Sequence, residues 1–76
     1  MTEYIYPEYL YKVYEARELR PGPEKEQLKD IPGIYWEIDG WFDKHTIVDI
    51  ERPDGTKATA SVIQYMDKHK SIVQEI

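Results

Sequence analysis

The sequence predicts an α+β domain, a three-stranded antiparallel sheet with helices packed on one face, in the order α-(α)-β-β-β-α. Three observations predict it: a C-terminal run whose apolar residues segregate at helical spacing, a β-branched hairpin turning on Pro-Asp-Gly, and a tyrosine-rich N-terminal third bounded by prolines. Seventy-six residues leave room for one domain, residues 1–76.

The C-terminal run carries the strongest pattern. At about 100° per residue, Val62, Tyr65, Met66, His69, Ile72, Val73 and Ile76 fall within about a third of the wheel, opposite Gln64, Asp67, Lys68, Ser71, Gln74 and Glu75. Ser61 followed by Gln64 has capping-box spacing, so a helix is expected from about 61 to 75. Its β-branched content supports a competing arrangement, two strands VIQYM and SIVQEI joined by Asp67-Lys68-His69-Lys70. The segregation of apolar from polar residues favours the helix.

Upstream, residues 45–51 and 56–60 read as a hairpin about Pro53-Asp54-Gly55, where Pro53 presets φ and Gly55 tolerates positive φ. Pairing Ile50 with Ala58 and Val48 with Ala60 buries one face and leaves Asp49 and Thr59 on the wet one. Ile34–Ile38, launched from Pro32-Gly33 and ended by Asp39-Gly40, supplies the remaining strand of a meander. Pro7 at a first helical position, followed by Glu8 and Lys12 at i,i+4 spacing, predicts a helix over roughly 7–19, although Tyr9, Tyr11 and Val13 also alternate as in a strand. Pro23 opens a second short helix reaching Asp30. Double-stranded-RNA-binding domains share this coarse order of elements, but the chain lacks their basic helix start and carries acids where they would need lysines.

Composition excludes several chemistries. Without cysteine there is no disulfide, thiolate zinc site, iron–sulfur cluster or thiol nucleophile. No apolar run approaches the roughly 20 residues that span a bilayer, and residues 1–7 lack the basic start of a secretion signal, so a chain beginning near Met1 in the cytoplasm is expected, that of a host cell if the protein is viral. A net charge of −5 argues against a nonspecific nucleic-acid or anionic-membrane partner. His45 and His69 lack HExxH or HxxxH spacing, Ser61 and Ser71 lack a nucleophile context, and the scattered glycines form no phosphate loop. The pairs Glu37/Asp39 and Asp49/Glu51 each share a strand face, as acid/base chemistry requires, but that face is expected to be wet and their pKa values ordinary. No catalytic, cofactor or metal site is assigned.

What remains is surface chemistry. Residues 37–54 hold six acids against Lys44 and Arg52. Five of the seven tyrosines fall between Tyr4 and Tyr14, more than a core of this size can bury. Of Trp36 and Trp41, one is expected in the core and the other as an exposed anchor near Asp39 and Asp43, suited to an arginine-rich partner. The expected function is a non-catalytic protein-binding module acting through Glu37, Asp39, Trp41, Asp43, Asp49, Glu51, Tyr4, Tyr6 and Tyr11. A viral or mobile-element inhibitor of a host nucleic-acid-processing enzyme, of anti-CRISPR or anti-restriction type, fits that chemistry: acidic side chains would occupy a basic nucleic-acid-binding surface. The alternative is a structural subunit that self-associates through the tyrosine-rich N-terminus as a homo-oligomer.

Overall fold

The computed structural model describes residues 12–76, and the architecture is mostly β. Five strands, β1 (Val13–Glu15), β2 (Tyr35–Asp39), β3 (Ile47–Glu51), β4 (Lys57–Asp67) and β5 (Lys70–Glu75), form one mixed sheet of order β1-β3-β4-β5-β2. Among the described residues there is one helix, α1, Pro23–Leu28, which precedes β2. β1 runs parallel to β3; the other pairs are antiparallel. The sheet curls until its edges meet at one bridge, where Arg17 and Glu37 exchange both backbone hydrogen bonds, at 2.9 and 2.8 Å.

The expected hairpin is present in the expected register, Ile50 against Ala58 and Val48 against Ala60. Arg52 and Thr56 close its turn, Asp54 accepts from the Thr56 N–H at 2.9 Å, and Gly55 takes φ 91°. β2 also forms where the breakers placed it, but it pairs with β5 instead of completing a meander beside β3. The short helix opens at Pro23 and stops at Leu28, before Asp30.

The predicted C-terminal helix is the principal error, and with it goes the sheet of three strands covered by helices on one face. Residues 57–75 are instead the β4–β5 hairpin, turning through Asp67–Lys70, where Asp67 Oδ1 accepts the His69 N–H at 2.7 Å. Ser61 is a strand residue paired with Ile47 and Gln74, not a cap, and His69 is exposed in the turn. Two features produced the helical period. β4 has register shifts at Val62/Gln64 and Tyr65/Asp67, and each bulge interrupts the period-two alternation, so that Val62 and Tyr65 both pack inward while Ile63 and Met66 pack outward. β5 is buried on both faces, with Ser71, Ile72 and Val73 all inaccessible, and such a strand carries no alternation.

Two apolar clusters result. The concave side holds Ala16, Ile38, Val48, Ile50, Ala60, Val62 and Val73; the outer side of β5 is covered by Leu19 and Leu28 over Ile72. Of the predicted helix over 7–19, residues 7–11 lie outside the described residues, and Val13–Glu15 is strand.

Candidate binding surfaces at the two ends of the sheet

The residues singled out from the sequence do not form one patch. Tyr4, Tyr6 and Tyr11 lie outside the described residues. β2 and β3 are not neighbours in the sheet, so Glu37 and Asp39 are separated from Asp49 and Glu51. Asp49 and Glu51 do project from the wet face, Glu51 within 3.4 Å of Lys57. The expectation of a wet, unperturbed pair fails on β2. Glu37 is 4 % exposed, because residues 17–20 cross over it: its carboxylate accepts from Arg20 Nη2 at 2.8 Å and Nε at 3.3 Å, and its pKa is lowered chiefly by that guanidinium. Asp39 accepts from Lys70 Nζ at 2.7 Å and from Arg17, and these bonds hold its pKa down at about 2. Both carboxylates are ionised and already partnered at neutral pH, which makes them poor proton donors.

At one end of the sheet the β2–β3 loop presents an aromatic platform. Gly40 has φ 115°, and a Cβ there would stand 2.9 Å from the Phe42 ring, so glycine permits the turn that sends Phe42 inward and Trp41 outward. Phe42 meets Tyr14 edge-on at 5.1 Å. Trp41 is 54 % exposed yet stacked on Tyr65, with centroids 5.1 Å apart and planes at 15°. The Tyr65 hydroxyl donates to Phe42 O at 2.7 Å, Thr46 donates to Asp43 O, and the His45 N–H reaches Val62 O at 2.7 Å. The platform is therefore pinned at both sides. Asp43 is exposed beside it.

The opposite end is organised by Glu75, which the sequence reading passed over. Its carboxylate receives Arg52 Nη2 at 2.6 Å, Arg52 Nε at 2.9 Å and the Trp36 indole N–H at 2.6 Å. The two arginine bonds, then the indole, bring its pKa down to about 2. Trp36 is thus the half-buried tryptophan, packed against the inner cluster but not within it, and Trp41 is the exposed one. An open cleft of about 840 Å³ lies here, with Trp36, Ile34 and Pro53 among its lining and Glu15, Glu18 and Asp54 among its charged groups. Arg17, Arg20, Arg52 and Lys70 were missed as partners of the acids. A signal existed, since residues 13–20 hold two arginines in an otherwise acidic chain.

Comparison with models of protein families, with curated proteins and with solved structures returned no significant match. Among the described residues no three His, Asp or Glu side chains converge as a metal would require, and no helix is long and apolar enough to cross a membrane. The functional reading therefore rests on geometry.

Proposed function

We propose that this chain is a non-catalytic protein-binding module anchored on Trp41. The observation that supports it is the combination of exposure and fixation: a half-exposed indole, stacked on Tyr65 in a loop pinned by backbone and hydroxyl hydrogen bonds. Exposed tryptophan is the residue type most enriched at binding hot spots, and an anchor fixed beforehand loses little entropy on docking. Asp43 beside it is offset by Lys44, whose Nζ stands 5.9 Å from the Tyr65 ring, so the exposed indole and not local charge carries the docking. A phosphate-mimicking inhibitor would need free carboxylates in a row, whereas Glu37 and Asp39 are engaged within the chain, so the aromatic anchor carries this reading and the acids contribute less.

The test is capture from a lysate of the source organism by the immobilised full chain and by Trp41→Ala. The expected result is a stoichiometric partner lost on Trp41→Ala, with thermal unfolding nearly unchanged. A partner retained by a folded Trp41→Ala chain overturns the proposal. Sedimentation of the free chain separates it from the self-association alternative, which requires a mass that rises with concentration.

A further inference from the structure

We infer that the cleft at the Glu75 end is a docking groove for an extended segment of a partner protein that carries an arginine or lysine. The groove has two adjoining hollows, one towards Pro53 and one over Leu19 and Leu28, both lined by Ile34, Trp36 and Glu18. Ile34, 54 % exposed, lines both hollows, and Ile31, 51 % exposed, lines the second. A loose loop would fold such side chains away. This one cannot, because the Ile31 N–H bonds to Leu28 O, the Tyr35 hydroxyl to Pro32 O and the Glu75 N–H to Ile34 O, at 3.0, 3.1 and 2.9 Å. Gly33 locks it further: φ is 147°, and a Cβ there would lie 2.6 Å from the Gln74 amide. Apolar side chains held out of the core by a fixed loop are a feature of interaction sites.

Charge chooses the occupant. The two cations lining the first hollow are committed, Arg52 to Glu75 and Arg17 to Asp39, whereas Lys25 and Lys29 line the second, Lys29 pairing with Glu26 at 3.1 Å, so the acidic excess belongs to the first hollow. Glu15 has only a 3.6 Å contact with that same Arg17, Asp54 accepts only from Thr56, and Glu18 has no ion-pair partner among the described residues. An apolar floor with an unneutralised acidic rim complements a basic side chain whose stem lies on Trp36 while its head reaches the rim. Alternate side chains of an extended segment lie about 7 Å apart on one side, so an arginine and a leucine two residues apart both face the groove.

The experiment titrates the ¹⁵N-labelled full chain with the octapeptide Gly-Ser-Leu-Ser-Arg-Ser-Gly-Tyr and with its counterpart carrying glutamate for arginine. Expected are amide shifts within residues 15–18, 33–36 and 52–54 for the arginine peptide only, with affinity weakened about tenfold in Glu15→Gln/Glu18→Gln/Asp54→Asn and comparably in Ile34→Ser. No shift at millimolar peptide, equal binding of the glutamate peptide, or full affinity in the folded triple variant overturns the inference. So do concentration-dependent shifts of these amides without peptide, which would place a second copy in the groove. Contacts between N-terminal tyrosine rings and the Ile34 methyls of the free chain would fill it with the chain's own segment and overturn it equally. Trp41 and Phe42 sit at the far end of the sheet and their amides stay unshifted, so this inference and the proposed function fail independently.

Discussion

The two ends of the curled sheet each carry a tryptophan, and the two are used in opposite ways. At the Glu75 end, Trp36 packs on the inner cluster and its N–H is spent on a carboxylate already gripped by Arg52. At the loop end, Trp41 has one face on Tyr65 and the other in water. The difference teaches that the saturation of an aromatic residue's partners, more than its type, separates scaffold from surface. Trp36, with its N–H bonded and its ring against the inner cluster, is held by the fold even though part of that ring lines the cleft; Trp41 leaves about half of its surface open.

The strand between the ends sets the scale for breaking this comparison. Val73→Asp would put an unpaired charge in the inner cluster, where the native residue is wholly buried. A domain of this size has roughly 4–11 kcal/mol of stability in total, so cooperative thermal unfolding should vanish and both ends should be lost together. Next comes Trp36→Ala, which removes core contacts and orphans part of the Glu75 cage; calorimetry should show a loss of about 3 kcal/mol. A loss no greater than that from Trp41→Ala would break the contrast.

Acid should sharpen it. Glu75 has a folded pKa near 2 against an ordinary 4.5, so its ionised form is favoured by folding. The stability it contributes is complete above its unfolded pKa and is lost as pH falls from about 4.5 towards 2. The melting temperature should therefore hold between pH 7 and 5 and drop below that, and Glu75→Gln should flatten part of the drop. Asp39, lowered by Lys70 and Arg17, adds to the fall over the same window and survives in that variant. Trp41→Ala is the mildest change, under about 1 kcal/mol in thermal melts at any pH, because its outer face meets only water.

How legible these features were follows from the kind of information each needs. The β3–β4 hairpin is local: one face alternates, one turn has proline, aspartate and glycine, and even the register came out of the pattern. The β4–β5 hairpin is equally local but hidden, since its turn Asp67-Lys68-His69-Lys70 has no glycine or proline and its bulges give Val62, Tyr65 and Met66 a spacing proper to a helix. The partners of Glu37 and Asp39 were invisible for a different reason. Strand alternation places both outward, and only the crossing of residues 17–20 over β2 makes that side dry for Glu37. That one of Trp36 and Trp41 stays exposed was legible because the two flank the Asp39-Gly40 turn; which of them does depends on the contact of Trp36 with Glu75, which Arg52 holds. Ile31 and Ile34 were passed over because isoleucines beside a turn look like the ends of core elements.

The bridge that joins the sheet's edges has a consequence for biosynthesis. Residues 13–17 bond to β3 through Ala16 and Glu51 and to β2 through Arg17 and Glu37, so β1 can be placed only after β3 has left the ribosome behind it. Until then the outer edges of β2 and β3 stay unpaired, the condition under which nascent chains join strand to strand with one another. The single Arg17–Glu37 bridge closes the sheet at its edges, whereas Val62 and Val73 lie on its inner strands, so amide exchange at Arg17 and Glu37 should run ahead of that at Val62 and Val73.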